Sequence, residues 1–67
     1  MKYCVNTQEQ ANGDHEVHKM NCNHLPLPEH QLSLGDFVHC FYAVLEAKKT
    51  YQKSNGCFFC SNECNTG

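Results

Sequence analysis

The sequence predicts a small α+β domain that is stabilised by its cysteines, most simply through one zinc ion. Three observations lead to this fold class: six cysteines in a chain of 67 residues, alternating apolar residues around an Asn-Gly pair, and a central segment with helical periodicity. A core of this size rarely contributes more than about 3–5 kcal/mol alone, so small domains usually carry a cross-link. We therefore expect residues 1–67 to form a single cysteine-rich domain.

The first predicted element is an antiparallel β-hairpin made of residues 2–9 and 14–20. Tyr3 and Val5 alternate with polar neighbours, as in a strand with one buried face. Asn12-Gly13 lies between the two segments and is typical of a type I′ turn, whose two central residues need positive φ. Cys4 alternates away from Tyr3 and Val5, so we expect it to face solvent as a free thiol.

A short third strand and one long helix are predicted to follow. Leu32 and Leu34 share a face within residues 31–34, after a loop with two prolines. The helix is expected over residues 36–53, with Asp36 as its N-cap and Gly56 ending it in a left-handed conformation. Its predicted core-facing stripe comprises Phe37, Phe41, Val44, Lys48 and Tyr51.

The spacing of cysteine and histidine residues predicts one structural zinc site. Cys57-x2-Cys60 has the spacing of a zinc knuckle, and His18-x3-Cys22 supplies two more ligands. Four protein ligands would leave no open position on the ion, which is typical of a structural site. Cys64, Cys40 and His24 remain possible substitutes for one of these ligands. Such a site would join the hairpin to the end of the helix.

Other uses of the cysteines stay open at this point. Six cysteines in so short a chain approach the content of a disulfide-stapled secreted peptide, the main alternative to zinc. Cys40 is expected to be a buried thiol, or else to form a disulfide with Cys22 or Cys57. A thiol-redox enzyme is a further alternative, although Cys57 and Cys60 follow the predicted helix instead of preceding it.

Charge and hydropathy limit the classes of partner. The net charge is −2, and the five basic residues are all lysine. Arginine is the usual reader of phosphates and guanine edges, so nucleic-acid binding is disfavoured. No apolar run resembles a signal peptide or a membrane span, which predicts a cytoplasmic protein without membrane contact. We also expect the protein to be a monomer.

The order of motifs resembles the small zinc-binding module of the Ada DNA-repair protein. The resemblance covers roughly residues 17–60: His18-x3-Cys22, a short strand, a helix containing AVLEAKKTY, and Cys57-x2-Cys60. It is closer to the H-x3-C version appended to some bacterial nuclease-related proteins. In the Ada module a cysteine at the position of His18 accepts a methyl group from a DNA phosphotriester. Histidine here argues against methyl transfer, while the resemblance implies the zinc fold.

These observations together predict a zinc-stabilised binding module without catalytic activity of its own. It would act through contacts with a protein partner that the sequence does not identify. An Ada-like, nucleic-acid-associated module that serves DNA repair or a nuclease is the second expectation.

Overall fold

A four-stranded sheet with one helix packed on it forms the fold in the computed structural model, which describes residues 1–66. Along the chain the elements are β1 Lys2–Asn6, β2 His15–Lys19, β3 Gln31–Asp36, the helix α1 Cys40–Ala47 and β4 Ser54–Gly56. The strands lie in the sheet in the order β3-β1-β2-β4. The predicted α+β class is confirmed.

The N-terminal hairpin is confirmed, with shorter strands and a different turn. β1 and β2 pair antiparallel, with Val5 opposite Val17 and Cys4 opposite His18. Within residues 1–66 positive φ occurs only at glycines, so Asn12 cannot occupy a type I′ turn. The Asn12 side chain instead accepts a hydrogen bond from the Asp14 backbone N–H at 2.9 Å. This hydrogen bond from the backbone to the Asn12 side chain stabilises a turn within the longer connection between β1 and β2.

The predicted third strand forms, and a fourth strand appears that the sequence did not indicate. β3 pairs antiparallel with β1 and extends to Asp36. β4 pairs parallel with β2, with Gly56 opposite Val17. Parallel neighbours need a long crossover connection, and the segment that contains β3 and α1 supplies it. The prediction that Gly56 ends the helix in a left-handed conformation is therefore wrong.

The helix is much shorter than predicted, with eight residues from Cys40 to Ala47. Asp36 is not its N-cap, because this residue belongs to β3 and its carboxylate binds the N-terminal amino group at 2.6 Å. His39 caps the helix instead, and its Nδ1 accepts a hydrogen bond from the Phe41 N–H at 3.0 Å.

The core lies between α1 and one face of the sheet and uses the small residues of the helix. Six residues share it: Tyr3, Val5, Val17, Cys40, Ala43 and Ala47. Phe41, placed in the core stripe by the sequence, is 55% exposed. The small residues Ala43 and Ala47 lie in this core and Val44 packs against it, whereas the larger Tyr42 and Leu45 are exposed like Phe41. Cys4 is 1% exposed, so the expectation that it faces solvent is wrong.

Gly56 is expected to tolerate no side chain. A Cβ at this position would lie 2.6 Å from the Ser61 carbonyl oxygen and 2.8 Å from the backbone of Cys64, so the chain after β4 would have to shift. We expect Gly56→Ala to lower the free energy of unfolding by about 1–3 kcal/mol in urea titrations. It should also weaken the predicted zinc binding, measured by competition with a chromophoric chelator, because the predicted ligands Cys57 and Cys60 lie on the displaced segment.

Gly35→Ala is the control for that substitution. Gly35 has a φ of +108°, and an added Cβ would meet the Phe37 ring at an ordinary 3.7 Å. This variant should lose stability through backbone strain and keep the zinc affinity of the unmodified protein. An unchanged zinc affinity in Gly56→Ala would contradict the prediction.

Candidate metal centre

The four residues predicted as zinc ligands lie together in the structure. His18, Cys22, Cys57 and Cys60 each offer one ligand atom, and these atoms all lie within 4.8 Å of one another. We call this group the Cys3His cluster. It can hold a metal ion, and its two halves come from opposite ends of the chain.

The parallel pairing of β4 with β2 brings the two halves together. The Cys57 N–H donates to the Val17 carbonyl at 2.9 Å, which continues the pairing one residue beyond β4. A tight turn follows, in which the Ser61 N–H donates to the Cys57 carbonyl at 2.9 Å. On the other side, the Cys22 N–H donates to the Lys19 carbonyl at 3.0 Å and turns the chain back after β2.

His18 is the residue whose environment most clearly requires a ligand. It is 1% exposed, and neither ring nitrogen has a hydrogen-bond partner within residues 1–66. A buried polar group without a partner is costly, usually by about 1–3 kcal/mol. Burial, and to a lesser extent the charge of His24, lowers the pKa of His18. The ring is therefore neutral at pH 7, which is the form that binds metals.

A carboxylate lies on one side of the same ring. Glu16 Oε1 is 3.5 Å from His18 Nε2, just too far for a good hydrogen bond. Histidines that bind metals through one nitrogen usually donate the other N–H to a carboxylate or carbonyl. Glu16 is therefore suited to orient the His18 imidazole from its Nε2 side.

The three sulfurs of the cluster are surrounded by backbone donors. Each accepts one backbone N–H: from Lys19 to Cys60 at 3.3 Å, from His24 to Cys22 at 3.3 Å, and from Phe59 to Cys57 at 3.4 Å. Such bonds favour thiolates over thiols. They are also the arrangement that a zinc knuckle needs around its charged sulfurs.

The pKa values of the three thiols nevertheless shift in different directions, because burial and the hydrogen bonds around each sulfur are balanced differently. Burial raises the pKa of Cys22 to about 12 and also raises the pKa of Cys57. Burial acts in the same direction on Cys60, but hydrogen bonds from Lys19, Cys22, Ser61 and Cys57 lower its pKa on balance. A divalent cation would allow all three to ionise, so metal binding would release protons.

The spacing of the sulfurs suits a tetrahedral ion. Cys22 Sγ and Cys57 Sγ are 4.0 Å apart. Two sulfurs on a tetrahedral zinc, each at about 2.3 Å from it, would be about 3.8 Å apart. None of the suggested substitutes belongs to this cluster. Cys40 and Cys64 bind each other, and the His24 ring stacks on Phe59 with centroids 3.8 Å apart.

A disulfide and a cysteine–histidine cluster that could hold a metal ion occur together in the described chain, although the sequence presented disulfides and a metal site as alternatives. Cys40 and Cys64 form a disulfide, whereas the other four cysteines are free. The expectations that Cys40 is a free thiol or pairs with Cys22 or Cys57 are therefore wrong, and the six cysteines are not all paired as in a disulfide-stapled peptide. The cysteine spacing alone gave no signal for the Cys40–Cys64 pair.

No family model matches the chain. Searches of curated proteins and of solved structures likewise found no significant match. The Cys3His cluster does not by itself identify an Ada-like module, so that resemblance stays a prediction. Within residues 1–66 no helix has the length and apolarity needed to cross a membrane.

Exposed aromatic rings lie directly beside the cluster. Phe58 and Phe59, between the two knuckle cysteines, are 59% and 66% exposed and contact each other edge to face. We call these two residues, together with His24 stacked on Phe59, the aromatic tip. An open cleft of about 460 Å³ lies next to it, bordered by Lys19 and residues 21–24.

Proposed function

We propose that the protein is a small zinc-stabilised module that binds a protein partner and has no catalytic activity of its own. The observation that carries this proposal is the buried, unpartnered ring of His18 among three cysteine sulfurs. Thiolate and imidazole ligands together favour zinc over harder cations such as magnesium or calcium. Four protein ligands would leave no position for a reactive water, which supports a structural ion.

Native mass spectrometry tests the metal. Protein purified without chelator should lose the mass of one zinc ion on acid denaturation. The remaining chain should be two hydrogens lighter than the sequence mass, because of the Cys40–Cys64 disulfide. A metal-free chain lighter by four or six hydrogens would contradict the proposal, because the cluster cysteines would then be oxidised.

The aromatic tip supports a role in binding. Aromatic side chains that are exposed on a rigid support contribute strongly to protein interfaces, since little conformational freedom is lost on contact. The knuckle holds Phe58 and Phe59 on such a support, between two of the proposed zinc ligands. The proposed contact is therefore made by the tip, next to the open cleft.

Affinity capture with matched variants tests this role. Phe58→Ser/Phe59→Ser should capture at least tenfold less of the partner that the unmodified protein enriches. This is roughly the effect of removing one interface hot spot. Phe41→Ser/Tyr42→Ser is the control, because it removes two comparably exposed rings from the helix and should retain the partner. Equal capture by both variants would contradict a role for the tip.

An Ada-like, nucleic-acid-associated module is the alternative proposal. It is supported by the motif order and opposed by the acidic charge and the lack of arginine. Salt-dependent binding of duplex DNA would support this alternative, since phosphate contacts release counterions. No binding at low salt would exclude it.

A further inference from the structure

A second cysteine–histidine group lies at the start of the helix. His39, Cys40 and Cys64 offer ligand atoms within 4.8 Å of one another, and the two sulfurs are joined as the disulfide. We propose that this disulfide is a reversible redox switch, and that its reduced form binds a second zinc ion through His39, Cys40 and Cys64. We call these three residues the switch site.

The histidine already has the geometry and the tautomer of a ligand. His39 Nδ1 is 3.8 Å from Cys40 Sγ, and a sulfur and a nitrogen on one tetrahedral zinc would be about 3.6 Å apart. Nδ1 accepts the Phe41 N–H, so its lone pair is free of a proton and the proton is on Nε2. In the zinc-bound form this lone pair would bind the ion, and Nδ1 would no longer accept the N-cap hydrogen bond from the Phe41 N–H.

The Glu63 carboxylate lies on the opposite side of the imidazole. Its Oε2 is 3.4 Å from His39 Nε2, slightly longer than a good hydrogen bond. A small movement of either exposed side chain would let Nε2 donate to this carboxylate, as the second nitrogen does in most metal-binding histidines. Glu63 directly precedes Cys64, so the same short turn carries both the ligand and the carboxylate.

The exposure of the two sulfurs determines how the disulfide would be reduced. Cys40 is 1% exposed, whereas Cys64 is half-buried and its neighbour Glu63 is largely exposed. An external thiolate therefore reaches Cys64 first. The departing Cys40 thiolate forms at the first residue of α1, where the positive end of the helix dipole stabilises it. A stabilised leaving thiolate accelerates exchange.

The reaction needs two molecules of a small thiol. The first attacks Cys64 Sγ and forms a mixed disulfide, and the S–S bond to Cys40 breaks with the electron pair on Cys40. The second thiol attacks the mixed disulfide and releases Cys64, so that the two small thiols end as one disulfide. The protein gains two electrons and two protons, and zinc binding then displaces both protons.

The two metal sites share no ligand, so they can be counted separately. The switch site offers three protein ligands and leaves a fourth position for water, whereas the Cys3His cluster is closed. The switch site should therefore bind zinc more weakly and should exchange it more readily.

Zinc counting in two redox states tests the proposal. The oxidised protein should bind one zinc ion in native mass spectra. After reduction with glutathione, anaerobic desalting and addition of zinc, it should bind two. One zinc in both states would overturn the proposal, whereas no zinc in the oxidised state would count against the structural site alone.

His39→Asn is the matched variant, since asparagine retains an N-cap acceptor but is a poor zinc ligand. It should fold, form the disulfide, and bind one zinc in either state. The double variant Cys40→Ser/Cys64→Ser should also bind one. Cobalt substitution gives a second readout, because the sulfur-to-cobalt charge-transfer absorption should increase on reduction in the unmodified protein alone. A second metal bound by His39→Asn as tightly as by the unmodified protein would overturn the role of His39.

Discussion

Replacing Cys57 with alanine is expected to abolish the proposed zinc binding at the Cys3His cluster and to leave the chain largely unfolded at neutral pH. A structural zinc site contributes about 10–16 kcal/mol in small domains. The whole free energy of unfolding of a native domain is usually about 5–15 kcal/mol. Without the Cys57 thiolate no ion would be held, so the buried ring nitrogens of His18 would stay without a partner.

Cys4→Ala is the matched control, because Cys4 and Cys57 are both free and both 1% exposed. The two substitutions remove the same sulfur from equally buried positions, and only one of these sulfurs belongs to the cluster. Cys4→Ala should bind one zinc ion and give a folded circular dichroism and NMR spectrum. A folded Cys57→Ala protein, or equal loss of structure in both variants, would contradict the structural role of the cluster.

Replacing Cys64 with serine is expected to have the second-largest effect. The disulfide joins residues 24 positions apart, from the start of α1 to the C-terminal turn. Closing a loop of this size removes entropy from the unfolded chain and stabilises the fold by about 3–4 kcal/mol in the chain-entropy model. Urea unfolding, without reductant and with one equivalent of zinc, should show this loss for Cys64→Ser.

Glu63→Gln is the control for the disulfide, since it changes the adjacent, largely exposed residue and keeps both cysteines. It should remain within about 0.5 kcal/mol of the unmodified protein, as most surface substitutions do. A Cys64→Ser protein as stable as Glu63→Gln would show that the disulfide does not stabilise the native state.

The grouping of the four Cys3His residues could be predicted because their signal is local. His18-x3-Cys22 and Cys57-x2-Cys60 each fit within one turn, and their chemistry is readable without the fold. The partner of Cys40 could not be predicted, because six cysteines allow many pairings and spacing does not choose among them. The structure brings Cys64 to Cys40 through the chain reversal after β4.

The helix boundaries and the fourth strand depend on distant contacts that a sequence pattern does not contain. Asp36 suits a helix start, but the N-terminal amino group and the pairing of β3 with β1 hold it in the sheet. β4 consists of Ser54, Asn55 and Gly56, none of which favours strands. In the sequence this segment resembles a helix end. Pairing with β2 overrides the weak strand preference of its residues and places it in the sheet.

The parallel pairing of β4 with β2 also determines the order in which the chain can fold. The hairpin of β1 and β2 is local and such hairpins form within about 1–10 microseconds. β4 must close a long loop before Val17 and Gly56 can meet, so it docks later. Until then the outer edge of β2 has unpaired backbone groups that another chain could bind. By holding β4 in place, a metal at the cluster would shorten this aggregation-prone interval.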